Sequence, residues 1–330
     1  MKAAFTVITP DYVSYAKTLG DSVIKYNRDY IFFICLIGEK DDLNSVLTLG
    51  NLTVLESSEL EDAVSIQSMQ AKYTLFELSC ALKPYFAEHI LKNKTITRLK
   101  YLDSDIMLFN TFDKDLEANT TASIFLTPHF FLPVDPSESS TTNDITLLKS
   151  GIFNAGYFEV ANTKVASDFL NWWKNRLADY CYYYKSSFPQ VFVDQSWLNL
   201  VPIYFNETFI VDNLGYNTSF YNLHERRLSV SDGCYFVNQL VPLVFFHFTG
   251  YKYYNVEQAS IHNPKYTFSN TPFLKSICDD YKNHLLENKV QSTSSLVVND
   301  NPKVSFTNLA KRLFNKFLMK CFKLKLVKAN

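Results

Sequence analysis

The stretch TRLKYLDSDIMLFNTF, residues 97–112, closes an apolar run with two aspartates one residue apart, Asp103 and Asp105. In an extended segment, side chains at i and i+2 face the same side, so the two carboxylates would point together. Paired anions repel unless a proton or a cation lies between them. A hard divalent ion such as Mn²⁺ or Mg²⁺ does this and keeps coordination positions for phosphate oxygens. The chemistry implied is a metal–diphosphate site. Taken alone, D-x-D is a common tripeptide, ordinarily a turn or a solvated strand end. His247 closes a second apolar run, LVPLVFFHF (240–248), and imidazole is a suitable third ligand for such an ion, although a buried core histidine is the commoner finding. In TGYK (249–252), Gly250 would let backbone approach a phosphate and Lys252 would add a point charge, with a solvated turn as the alternative.

The elements that must position these groups alternate in kind. AAFTVIT (3–9) reads as a strand, and Val13, Ala16, Leu19, Val23 and Ile24 recur behind it at helical spacing. YIFFICLIG (30–38) and LTVLE (52–56) are further strands. Residues 71–92 are a long helical pattern interrupted by Pro84, and 96–105 returns to strand. ASIFLTPH (122–129), a polar loop over 136–143, GIFNAGYFEV (151–160), a helix over 164–184 and the 240–248 strand follow. Near-continuous apolar strands alternating with helices predict an α/β fold with a mainly parallel sheet covered on both faces. Ligands bind outside the carboxyl ends of such strands, which is where Asp103 and Asp105 fall. A haloacid-dehalogenase-like phosphatase also ends a strand with D-x-D, but on the first strand and usually followed by Thr or Val. Here the pair follows about the fourth strand, and Ile106, Met107 and Leu108 come next.

The chain has 330 residues, 47% of them hydrophobic and 20% charged, enough for one large or two ordinary cored domains. Its net charge of −1 hides an asymmetry, because residues 301–330 carry eight Lys or Arg and no acid. Without them 24 basic residues face 33 acidic ones, a net charge of −9. Six cysteines lie far apart with no C-x-x-C pair, which points to free thiols and a reducing, cytoplasmic setting. No stretch approaches the roughly 18 apolar residues of a membrane span, and the N-terminal run offers no small-residue cleavage site.

Five motifs occur in order: TPDYVSYAKTLGDSV (9–23), YLDSD (101–105), FNAGYF (153–158), DQSWLN (194–199) and HFTGYK (247–252). With them the chain, from about residue 3 to residue 255, resembles the GT-A nucleotide-sugar glycosyltransferases, most closely the family 8-like retaining enzymes of bacterial surface-polysaccharide pathways. The resemblance implies a GT-A domain over residues 1–272 and a C-terminal helical appendage over 273–330. It implies a nucleotide-sugar donor, UDP-hexose being favoured, a glycan or lipid-linked acceptor, and Mn²⁺ or Mg²⁺ held by Asp103, Asp105 and His247. Thr9, Asp11, Tyr12, Ser104, Gly250 and Lys252 would then meet the nucleotide; as a bare sequence, T-P-D-Y is only a helix start with Asp11 as N-cap. Lys83, Asn154, Ala155 and Gly156 would border the donor sugar. The alternatives are a snorkelling Lys83 and a β-bulge at the N-A-G segment. Asp194 and Gln195 would lie beneath the anomeric carbon and stabilise an oxocarbenium-like transition state, the helix cap being the other role open to Asp194. His129, after its own strand, would stand where the sugar or acceptor enters. Competing readings are a sugar-nucleotide transferase or phosphatase, and a catalytically silent sugar-binding module; a pyrophosphorylase would need a Gly-rich basic loop that TVITPDYVSY lacks.

Residues 290–303 read as a linker. Beyond them Phe306, Leu309, Leu313, Phe314 and Phe317 alternate with Lys and Arg as a basic amphipathic helix. Such a helix suits an anionic membrane surface on the cytoplasmic side, each basic residue contributing about 1 kcal/mol there. Packing on the catalytic domain or on a second subunit of a homo-oligomer is the alternative. Nucleic acid is not an expected partner, since the body is acidic and no binding module is present.

Overall fold

A computed structural model of the chain describes residues 1–38, 52–135, 143–183, 191–255 and 257–289. The central sheet has seven strands: β1 (Lys2–Ile8), β2 (Tyr30–Leu36), β3 (Leu52–Glu56), β4 (Arg98–Leu102), β6 (Ile124–Pro128), β7 (Phe153–Ala161) and β8 (Thr208–Ile210). Their order is β3-β2-β1-β4-β7-β6-β8. Strands β3, β2, β1 and β4 are mutually parallel, and β7 runs against both β4 and β6. The predicted mainly parallel α/β sheet is therefore present, and its one reversed strand, β7, lies beside the strand that carries the aspartates.

The pleat of β1 shows why both faces are covered. Ala3, Phe5 and Val7 enter one apolar cluster, with α3 (Leu75–Leu91) and α6 (Lys164–Leu177), while Ala4 and Ile8 enter another beneath α1 (Val13–Tyr26). The long helical pattern over 71–92 is divided at Tyr73. The helix α2 (Ala63–Lys72) ends there, and Thr74 opens α3 with a capping box closed by Glu77, a T-x-x-E signal present in the sequence. Pro84 does not interrupt α3. Ala81, Leu82, Tyr85 and Phe86 around it are buried, and that packing outweighs the roughly 3 kcal/mol a proline costs inside a helix.

The run over 240–248 is not one strand of the central sheet. It divides into β12 (Val241–Pro242), in a small antiparallel sheet with β10 (Leu228–Ser231) and β11 (Cys234–Val237), and β13 (Phe245–His247), which pairs with β5 (Ile106–Leu108) and β9 (Thr218–Ser219). Leu243 and Phe246 anchor this second lobe in a third apolar cluster, into which α8 (Pro272–Glu287) inserts Leu274, Ile277, Cys278 and Tyr281. Residues 114–118 and 144–150 form two short helices, α4 and α5, and 201–204 a third, α7. Among the described cysteines, Cys35, Cys80, Cys181 and Cys278 are buried free thiols and Cys234 is exposed. No described helix is long and apolar enough to cross a membrane. The linker and basic tail expected from residue 290 onward lie outside the described residues.

On the α1 side of the sheet, Lys100 is wholly buried, with Nζ 2.5 Å from Glu117 Oε1 and 2.9 Å from Glu159 Oε2. Arg98 pairs with the same Glu159, and Tyr157 donates to it at 3.0 Å. Removing one partner of a buried pair strands the other charge, which typically costs several kcal/mol. Lys100→Met is accordingly expected to lower stability by about 3–5 kcal/mol. Lys164→Met, whose Asp168 ion pair is exposed, should lower it by less than about 1 kcal/mol. Urea unfolding of the two variants checks the contrast.

Candidate metal and sugar-diphosphate site

Strand β4 ends at Leu102, and the Asp103 N–H still donates to Gly156 O of β7 at 2.8 Å. The chain then turns, with Ile106 N donating to Asp103 O at 3.1 Å, and leaves as β5. The two carboxylates thus converge through a turn, with Ser104 at its half-buried centre, rather than through the pleat of an extended strand. Strand β5 pairs antiparallel with β13 so that Ile106 lies opposite His247. His247 Nε2 comes 3.1 Å from Asp105 Oδ1 and 3.8 Å from Asp103 Oδ2, and ligand atoms of all three residues lie within 4.8 Å of one another. The other ring nitrogen, Nδ1, is 3.4 Å from Asn217 Oδ1, which turns Nε2 toward the carboxylates. Burial resists charge on His247, but Asp105 and Asp103 outweigh it and raise the imidazole pKa. Burial likewise resists charge on Asp105, and His247 holds that carboxyl below its ordinary range. Two carboxylate oxygens and one imidazole nitrogen facing a common point fit a Mn²⁺ or Mg²⁺ ion with open positions for phosphate.

Lys83, on α3, is buried and joins this cluster to the D-Q pair. Its Nζ lies 3.3 Å from Asp103 Oδ1 and 2.9 Å from Asp194 Oδ2, and donates to Ala155 O at 3.0 Å. The ammonium thus donates one hydrogen bond, to Ala155 O, and forms ion pairs with both carboxylates. Lys83 therefore does not snorkel; it braces the site from behind. Burial alone would lower its pKa, yet the charges of Asp103 and Asp194 raise it well above the usual value. For Asp194, burial raises the carboxyl pKa and Lys83 only partly offsets it. Asp194 precedes a 3₁₀ helix (Gln195–Leu200) but its side chain makes no capping hydrogen bond. The residue before it, Val193, has φ +39°, a strained conformation for a β-branched side chain and one that tends to accompany functional sites.

Gln195 faces the N-A-G segment of β7. Its Oε1 accepts Ala155 N at 3.1 Å and Asn154 Nδ2 at 3.3 Å, and its Nε2 donates to Ser150 O at 3.0 Å. The segment lies within β7, but the pairing with β6 is irregular there: Leu126 faces Phe158 and Pro128 faces Phe153, so Asn154, Ala155 and Gly156 fall in a bulge-like shift of register. His129 is buried, with Nδ1 2.9 Å from Ile152 O and Nε2 3.2 Å from Asn154 Nδ2. Both ring nitrogens are occupied, so the ring does not stand open to an incoming acceptor. Burial pushes its pKa down to about 4. Tyr221 was not legible from sequence: its ring lies edge-on to His129 at 5.1 Å and to His247 at 6.3 Å. Its position depends on the turns joining β9 to β10, which carry no motif.

At the other end, Tyr12 is 47% exposed, with its ring 5.4 Å from that of Tyr15. Thr9 is buried, and Asp11 lies within the turn Pro10–Tyr12 and does not cap α1, whose N-cap position is Tyr12. The Tyr15 hydroxyl pKa is pushed up to about 12 by burial, with Tyr12, Asp105, Tyr253 and Tyr254 adding to it. Gly250 has φ +70°, and a Cβ there would fall 2.4 Å from His262 Cδ2. His262, also unforeseen, lies in the field of Asp105, Lys252 and His247.

Gly156 gives the sharpest geometric test. A Cβ at this position would lie 2.5 Å from His247 Cε1, 2.6 Å from Asn154 Oδ1 and 2.9 Å from Asp103 Oδ2. Gly156→Ala should therefore abolish Mn²⁺ binding, read by electron paramagnetic resonance of the free ion, while far-ultraviolet circular dichroism stays unchanged.

No family model matches the chain. Among curated proteins it is similar to the uncharacterised YfnD of Bacillus subtilis (strain 168), 24% identical over 248 residues that cover 74% of this chain and 76% of YfnD. It is also similar to the uncharacterised YfnF of the same strain, 22% identical over 285 residues that cover 86% of this chain and 92% of YfnF. Among solved structures it is similar to the galactosyltransferase LgtC in complex with donor and acceptor sugar analogues, with a TM-score of 0.50 and 14% identity over 85% of this chain and 96% of LgtC. That likeness, together with the sheet order and its flanking helices, establishes the GT-A fold.

Proposed function

We propose that the chain is a metal-dependent glycosyltransferase that moves a hexose-type sugar from a nucleotide diphosphate, UDP being favoured, to a glycan or lipid-linked acceptor with retention at the anomeric carbon. The observation that carries this reading is the convergence of Asp103, Asp105 and His247 on one point, with Asp194 joined to it through Lys83 and Gln195 through Ala155, whose carbonyl Lys83 also holds. A Mn²⁺ or Mg²⁺ ion held by the first three would neutralise the diphosphate as it departs. Lys252, near the same carboxylates through His262, supplies a further positive charge on that side. Tyr12 offers an exposed ring for the base, with Thr9 and Asp11 beside it and Ser104 and Gly250 toward the phosphates.

Asp194 and Gln195 have different parts in this reading. Asp194 is buried against the Lys83 ammonium, so its charge is balanced inside the protein and contributes a fixed field beneath the sugar. Gln195 has both lone pairs of Oε1 engaged by Ala155 and Asn154, so it contributes an oriented dipole rather than a free nucleophile. Asn154, Ala155 and Gly156 form the strand edge against which the donor sugar would lie.

Asp103→Asn and Asp105→Asn should each abolish Mn²⁺-dependent hydrolysis of the donor without unfolding the protein. Unaltered turnover in either variant would refute the assignment. A panel of nucleotide sugars, with and without Mn²⁺, read by thermal shift, identifies the donor, because a ligand that favours the folded state raises the melting temperature. The basic residues of the C-terminal region place the enzyme, in this reading, on an anionic membrane surface beside a lipid-linked acceptor. Liposome flotation tests that part: binding to anionic vesicles is expected to vanish when residues 303–330 are removed, and undiminished binding rejects it.

A further inference from the structure

We propose that His129 is a positioning residue which, with its proton on Nδ1, fixes the carboxamide of Gln195 through Asn154. The direction of each hydrogen bond follows from its neighbour. Ile152 O can only accept, so Nδ1, 2.9 Å away, carries the hydrogen. Nε2 is then a bare lone pair, and Asn154 Nδ2 donates to it at 3.2 Å. The second hydrogen of that amide goes to Gln195 Oε1 at 3.3 Å, and Asn154 Oδ1 accepts Gly156 N at 3.0 Å. Turning the Asn154 amide over would set its oxygen against the His129 lone pair and the Gln195 oxygen, and its hydrogens against the Gly156 N–H. Gln195 inherits the same polarity: Oε1 also takes Ala155 N, and Nε2 is left toward Ser150 O. The Nε2 lone pair thus acts with three backbone groups, Gly156 N–H, Ala155 N–H and Ser150 O, to orient the two side-chain amides in series.

The surroundings of the ring support this role. His129 is 7% exposed and stacks edge-on against Tyr221, so no water is needed to complete its bonding. A second proton on the ring would put an N–H of His129 against an N–H of Asn154, and burial opposes that charge. The inference rests on the transferase reading only in giving Gln195 a part beneath the anomeric carbon; the relay itself is a matter of geometry.

Two substitutions separate the relay from a merely structural pin. In His129→Gln, the side-chain oxygen reaches the place of Nε2 and can accept from Asn154, while the bond to Ile152 O is lost. In His129→Asn, the side-chain amide replaces Nδ1–H toward Ile152 O, and nothing stands at Nε2. The relay predicts that the Asn variant loses about 10–100-fold in kcat with little change in donor KM, and that the Gln variant retains most of it. Equal losses, or a better Asn variant, would overturn the proposal. Nitrogen-15 spectra of the unaltered protein provide a readout independent of turnover: the ring should show Nδ1–H with bare Nε2, and the Gln195 side-chain amide pair should shift in the Asn variant and not in the Gln variant. A protonated Nε2, or an unmoved Gln195 amide, overturns the relay. Lack of any sugar turnover in the unaltered protein would count against the transferase reading instead, leaving the spectra to decide the relay.

Discussion

Three carboxylates, Asp103, Asp105 and Asp194, crowd one corner of the molecule, and they remain there because Lys83 and His247 sit between them. Mutual repulsion among anions in a partly dry site would otherwise force protonation or movement. Lys83 couples helix α3 to the end of β4 and to the turn before the 3₁₀ helix. His247 couples β13 to β5. The two lobes of the molecule are therefore joined by charge as well as by apolar packing at the place where a ligand would bind.

That arrangement also divides the labour of the site. On the His247 side the carboxylates face outward at about a third exposure, 32% for Asp103 and 29% for Asp105, while the imidazole beside them is buried. On the Lys83 side the ammonium and Asp194 are both buried and paired, so the charge there is fixed. Gly156 stands between the two halves, and the absence of its side chain lets His247, Asn154 and Asp103 come within contact distance of one strand.

The sheet and the site differ in how far they could be read from the residues. The strands at 3–9, 30–38 and 52–56 and the helix behind β1 follow from apolar periodicity, because each buries a face that water would otherwise touch. Asp103, Asp105 and His247 were legible as candidate ligands because residue type and position at the end of apolar runs limit what they can do. The extended D-x-D, the unbroken helix boundary at residue 71 and the single strand over 240–248 were misread. The first yields to pairing with a distant segment, β5 with β13; the other two turn on short-range signals, the Thr74–Glu77 cap and the pairing of β12 with β11 just before it.

The residue types and their order determined by themselves that an α/β sheet would form and that a pair of aspartates would stand at the end of one of its strands. They could not decide that Lys83 turns inward to Asp194, that His129 is closed to solvent, or that Tyr221 and His262 border the carboxylates. The first depends on how α3 packs against the turn before the 3₁₀ helix, and the position of Tyr221 and His262 depends on the path of the second lobe across the end of the sheet, which brings residues 217–262 within reach of residues 103–105. Contacts between segments so far apart in the chain leave no periodicity to read, because each is specified by how two surfaces meet and not by what either segment prefers alone.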